Sequence, residues 1–140
     1  MNISIMDPNM PKFTEDMTNW WTNEGHFVWR QRYYNPELVR QGDVVWFDTC
    51  DNTLKVGCEG LPEHPDWDMH KMDLSKKQII CRVLDIEAWL GHHRDIDWNL
   101  VDDVIFLAPH IKEIVEKDIN FTETNTRTHI VPPGVNMDKF

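Results

Sequence analysis

Short apolar runs that stop abruptly at Asp, Asn or Pro, separated by stretches long enough for a helix, recur along this chain and restrict its fold more than any other feature. The first run, Asn2 to Met6, is closed by Asp7-Pro8-Asn9, turn chemistry that ends a strand. Thr14-Glu15-Asp16 then offers a helix cap with acids in the first turn, and Phe13, Met17, Trp20 and Trp21 fall at helical spacing on one side. That helix should run to about Asn23, with Gly25 placed to end it. A second strand is expected at His26 to Trp29, followed by a short segment from Pro36 to Gln41 with proline at a favoured helix start. Asp43 to Phe47 is a continuous apolar run of the kind found in strands covered on both faces. From Gly57 to Lys77 the text is polar and aperiodic and predicts a surface excursion. Gln78 to Val83 predicts a fourth strand, Asp102 to Ala108 a fifth, and a helix-sized stretch around Ala88 to Leu100 lies between them. Pro109 opens a helix with Ile111, Ile114, Val115 and Ile119 on its buried face, and His129 to Val131 predicts a short last strand. Strands alternating with helices imply right-handed crossovers and hence an α/β, doubly wound domain with a mostly parallel sheet of about six strands.

At 140 residues the chain suits one domain with a real core. With 14 Lys and Arg against 24 Asp and Glu the net charge is −10, a field that repels phosphate backbones and argues against a nucleic-acid partner. No stretch approaches the roughly 18 to 20 apolar residues of a membrane helix, and no basic-then-apolar leader opens the chain, so a cytoplasmic protein is expected. The three cysteines, Cys50, Cys58 and Cys81, are odd in number and dispersed, which suits reduced thiols.

In a doubly wound sheet, ligands lie at the carboxyl ends of the strands, where the strand order reverses. The first such turn, Asp7-Pro8-Asn9-Met10-Pro11-Lys12, contains no glycine, and Glu15 and Asp16 at the helix start repel anions. A dinucleotide site is therefore not expected there, although Asp7 and Asn9 suit hydrogen bonds to a neutral polyol such as a sugar, beside their simpler turn-forming role. Asp48 and Asp51 close the third strand at the same edge, with Asp51 also a candidate helix cap. His64, His70, His92 and His93 show no metal-ligand spacing and read as solvated surface residues, so no metal site is expected. Of the seven tryptophans, Trp20, Trp21 and Trp46 sit in core-patterned elements, whereas Trp67 and Trp89 are better placed to stack on a ligand. No nucleophile elbow, P-loop or Cys-His-Asn arrangement is evident.

The segment His129-Ile130-Val131-Pro132-Pro133-Gly134-Val135-Asn136-Met137-Asp138-Lys139-Phe140 closely resembles the one that ends the first domain of family 4 glycosyltransferases of the GT-B fold. Val101 to Pro109 looks like that family's penultimate strand and helix start, Gly25-His26-Phe27-Val28 like its second strand, and Gly42-Asp43-Val44-Val45-Trp46 like its third. Cys81-Arg82-Val83-Leu84-Asp85-Ile86-Glu87 is similar to its fourth. Each motif is weak alone, but they follow in the family's order over essentially the whole chain.

The resemblance implies a Rossmann-like amino-terminal, acceptor-side domain over residues 1–140, ending at an interdomain boundary marked by Pro133, Gly134 and Val135. It implies a hexosyltransferase-type enzyme that moves a sugar from a nucleotide-sugar donor to a carbohydrate or glycolipid acceptor. Asp7, Asn9, Asp48, Asp51, Arg82, Asp85 and Glu87 are the expected acceptor-binding residues, with a separate donor-binding domain or subunit as partner. The nucleotide-sugar donor belongs to that partner, so no cofactor is assigned to this chain. Leu84 stands where the family often has a histidine, and a leucine can neither donate a hydrogen bond nor share a proton, so no catalytic residue is assigned. Arg82 and Glu87 also suit a simple structural ion pair. Transfer by the chain alone is not expected, and a non-catalytic carbohydrate-binding or interaction module derived from the same domain is the alternative.

Overall fold

The computed structural model describes residues 1–8 and 14–134. Its strands are β1 (Asn2–Met6), β2 (Phe27–Gln31), β3 (Val44–Phe47), β4 (Gln78–Val83), β5 (Asp103–Phe106) and β6 (Arg127–Ile130). They alternate with helices α1 (Glu15–Asn23), α2 (Pro36–Gln41), α3 (Asn52–Glu59), α4 (Asp85–Leu90) and α5 (Pro109–Val115). All neighbouring strands pair in parallel, in the order β2-β1-β3-β4-β5-β6. This is the Rossmann-like α/β sheet that the alternating pattern predicts.

The chain turns back once. It moves from β1 outward to β2, then returns past β1 to β3 and continues in that direction to β6. Right-handed crossovers in opposite directions fall on opposite faces, so α1 lies on one face and the later helices on the other. The packing agrees with this division. Met6, Val45, Phe47, Ile79, Cys81, Val83, Val104 and Phe106 join Leu38, Leu54, Ala88, Ile111 and Val115 of the later helices in the main core. On the opposite face Ile3, Ile5 and Trp46 form a small cluster with Met17 and Trp21 of α1. α1 buries none of its residues fully. Trp21 packs edge-on against Trp46, with ring centroids 6.0 Å apart. Trp20, expected in the core, is instead 59% exposed because α1 only brushes this face of the sheet.

The segment expected as a surface excursion is more ordered than its composition suggests. Asp51 caps α3 by accepting from the Thr53 backbone N–H at 2.8 Å, and Leu54 and Cys58 of that helix are buried. Two single-turn 3-10 helices follow, Pro65–Trp67 and Met69–Lys71, and Met69 is fully buried. Gly57 permits this: a Cβ there would lie 2.8 Å from the Met69 sulfur and 3.0 Å from the Tyr34 ring. The stretch expected as one helix around Ala88 to Leu100 is α4 plus the short turns His92–Asp95 and Trp98–Leu100. Gly91, in the left-handed conformation at φ 75°, ends α4. His93 is fully buried rather than solvated, and its Nε2 lies 2.8 Å from Asp118. The cysteines are free and buried, and Cys50 and Cys81, far apart in sequence, touch through their thiols.

Candidate functional site

The reversal of strand order between β1 and β3 opens a crevice at their carboxyl ends, where Asp7 and Asp48 emerge. Both carboxyls are nearly or fully buried. Asp7 Oδ2 accepts from the Thr14 hydroxyl at 2.6 Å, and the Asp7 backbone N–H donates to the Gln31 carbonyl at 2.8 Å. Thr14 therefore spends its hydroxyl on Asp7 instead of on a helix cap. Arg30 reaches the same hydroxyl oxygen at 3.4 Å. Asp7 Oδ1 is buried with no hydrogen-bond partner among the described residues, and so is the Thr49 hydroxyl. A buried acceptor left unmet in this way is costly unless a ligand or solvent fills it.

Asp48 is held on two sides. Its Oδ1 accepts from the Trp46 indole N–H at 2.9 Å, its Oδ2 from the Arg82 guanidinium, and its carbonyl from Arg82 Nε at 3.4 Å. Burial pushes the Asp48 carboxyl up to about 6 despite Arg82 and Trp46, which pull it down; the Asp7 charge adds to the rise. Asp48 is thus a carboxyl that changes charge close to neutral pH.

Glu87 lies beneath the same loops. Its Oε2 accepts from the backbone N–H of Cys50 and of Leu84, each at 2.9 Å, so one carboxyl ties the turn after β3 to the turn after β4. Burial raises it to about 7 against those two N–H groups, with help from the Asp51 and Asp48 charges. Asp51 caps α3, and Asp85 is exposed at the start of α4, where its Oδ1 accepts from the Ile86 N–H at 2.8 Å. Asp7, Asp48 and Arg82 are thereby drawn into the crevice, while Asp51, Asp85 and Glu87 shape its rim and floor. The Arg82–Glu87 ion pair, the structural alternative for these two residues, is absent among the described residues; Arg82 pairs with Asp48. Asn9 and Val135 lie outside the described residues.

One cavity borders the crevice and a second lies on the other face of the sheet. One, of about 150 Å³, is bounded by Trp46, Arg82, Ile105, Leu107, Pro133 and Gly134, so two of the residues expected at an interdomain boundary share a wall with the Asp48 cluster. The other, of about 210 Å³, opens on the opposite face between the loops after β2 and β3, lined by Tyr33, Tyr34, Asn52, Thr53 and Trp67. Trp67, expected to stack on a ligand, already has two ring neighbours, His64 stacked at a centroid distance of 4.7 Å and Tyr34 tilted at 6.1 Å. Trp89 is 73% exposed on α4. Sequence reasoning passed over Thr14 and Arg30 as site residues, and it passed over the Tyr33-Tyr34 pair. The signal was present for the tyrosines, which follow one residue after the carboxyl end of β2.

No group of three or more His, Cys, Asp or Glu side chains able to hold a metal occurs among the described residues. Nor is any helix of the described residues long and apolar enough to cross a membrane. No family model, curated protein or solved structure matches the chain.

Proposed function

We propose that this chain is the acceptor-side half of a glycosyltransferase, binding a neutral hydroxyl-rich acceptor at the crevice between β1 and β3 while a separate domain or subunit supplies the nucleotide-sugar donor. The observation that carries the reading is the pair of buried carboxyls, Asp7 and Asp48, with Asp7 Oδ1 unmet among the described residues, at a strand end whose following sequence, Asp7 to Lys12, has no glycine to cradle a phosphate. Carboxylate oxygens accept from hydroxyl groups and repel phosphates, so the chemistry selects a polyol over a nucleotide. The ordered resemblance to family 4 glycosyltransferases supports the same assignment, as do Pro133 and Gly134, which line one cavity with Arg82 and Trp46.

A second reading is a binding module without chemistry. Leu84, whose backbone caps α4 through Glu87, presents no proton-transferring group, and both Asp48 oxygens are already engaged by Trp46 and Arg82. Calorimetric titration with neutral glycosides and with nucleotide sugars, alongside a donor-hydrolysis assay, tests the proposal. Glycoside binding that is lost in Asp7→Asn, with millimolar or absent nucleotide-sugar binding and no turnover, is expected. Micromolar nucleotide-sugar binding by the chain alone would overturn it. Transfer restored by an added donor-binding domain separates the enzyme half from the inert module.

A further inference from the structure

The cavity between the loops after β2 and β3 has a composition unlike the rest of the carboxyl edge. It is lined by Tyr33, Tyr34, Trp67, Val56 and Leu61, with Asn52 and Thr53 contributing polar side chains. At about 210 Å³ it is smaller than the roughly 300 Å³ at which drug-sized pockets begin, so it suits one ring. Its back wall is fixed. Tyr34 is buried, lies nearly parallel to Phe47 at 6.4 Å, and donates its hydroxyl to the Trp67 carbonyl at 2.6 Å. Tyr33 differs from it, being 70% exposed with the Arg32 guanidinium 5.7 Å from its ring centroid.

Several polar groups of its lining are unspent among the described residues. Among the described residues, the Trp67 indole N–H, the Asn52 amide, the Thr53 hydroxyl and the Tyr33 hydroxyl make no hydrogen bond within the chain. A recess with aromatic rings and free donors and acceptors in its lining matches a pyranose ring, whose C–H face packs on an aromatic ring while its hydroxyls point outward. Charge points the same way: Asp51 directly precedes Asn52, Asp66 and Asp68 flank Trp67, and the chain carries a net charge of −10. A neutral sugar is favoured there over an anionic ligand.

We infer that this aromatic recess is a sugar-binding subsite that receives one neutral pyranose unit of the acceptor, next to the unit bound in the Asp7–Asp48 crevice. The inference rests on the acceptor reading above and adds to it a second, stacking position. The turn from Asp48 to Asp51 joins the two, running from one carboxyl of the crevice to Asn52 and Thr53, which open α3 and line the recess.

The test is a titration of the full chain with methyl α-glucopyranoside, followed by amide and indole proton–nitrogen correlation spectra. The expected result is a shift of the Trp67 indole and Thr53 amide resonances that Tyr33→Ala weakens by about fivefold or more and Tyr33→Phe preserves. Tyr33 is exposed, so neither change threatens folding. Glucose 6-phosphate should bind more weakly than the glycoside, and adenosine should leave both resonances unmoved. Perturbation confined to Thr14 and its neighbours, abolished by Asp7→Asn, would overturn the subsite and leave the crevice reading standing. No perturbation anywhere would overturn both. Movement of the Trp67 indole by adenosine alone, or glycoside binding indifferent to Tyr33→Ala, would also overturn the subsite.

Discussion

Two aspartates on one face of the sheet, each paired with an arginine from a neighbouring strand, have opposite electrostatic fates. Asp103 opens β5 at the amino edge; Asp48 follows β3 at the carboxyl edge. Both carboxyls are buried, but their partners are not alike: Arg127 and His129 beside Asp103 are 65% and 44% exposed, while Arg82 beside Asp48 is 11% exposed. Burial raises Asp103, yet hydrogen bonds from Arg127, Gln78 and His129 outweigh it and hold the carboxyl below its ordinary value. At Asp48 burial wins over Arg82 and Trp46. At Asp103 three side-chain hydrogen bonds outweigh a modest desolvation, whereas the deeper desolvation of Asp48 exceeds what Arg82 and Trp46 return. The amino-edge pair therefore serves structure, and the carboxyl-edge pair keeps a proton equilibrium within reach of neutral pH.

The largest expected effect comes from breaking the buried pair. Arg82→Met leaves Asp48 as an uncompensated buried charge, and denaturant unfolding at pH 8 should show a loss of about 3–5 kcal/mol, shrinking at pH 5 where Asp48 takes up a proton. Equal losses at both pH values would remove the distinction drawn for Asp48.

The next effect is the pH profile of the unaltered chain. Asp48 and Glu87 bind protons more tightly folded than unfolded, so their contribution to stability rises as pH falls from about 7 towards 4 and is lost as pH rises through their folded values of about 6 and about 7. Unfolding measured from pH 8 to pH 5 should show a gain of about 2–5 kcal/mol. Asp103 behaves oppositely: its contribution is present above the ordinary carboxylate range and is lost as pH falls below about 4.

Glu87→Gln retains an oxygen for the Cys50 and Leu84 N–H groups but removes the ionisation, so it should cut the gain between pH 8 and pH 5 by roughly half. The smallest effect belongs to Asp103→Asn, whose partners relax into water; about 1 kcal/mol at pH 7 is expected from thermal unfolding. A loss as large as that of Arg82→Met would place the two pairs in one class.

Much of the fold was legible because strands covered on both faces are written as continuous apolar text. β1 and β4 fall where their runs predict, and α2 begins at Pro36 as expected. Expectations failed where burial is decided by distant partners. Helical spacing placed Trp20 inward, but α1 is the lone helix among the described residues on its face and covers it shallowly. His93 looked solvated because Asp118, which meets it, is 25 residues away. Cys50 and Cys81 looked dispersed because only the pairing of β3 with β4 brings them together.

For the candidate site, position was legible and role was not. The sequence by itself determined the order of strands and helices, hence the α/β class, and it placed Asp7 and Asp48 at strand carboxyl ends, because apolar runs and their polar terminators are local features. Only the tertiary structure decided that Arg82 meets Asp48 rather than Glu87, that Glu87 pins two loops, and that burial raises Asp48 while hydrogen bonds lower Asp103. Those outcomes depend on how deeply each carboxyl is buried and which donors reach it, and both are fixed by which strands become neighbours.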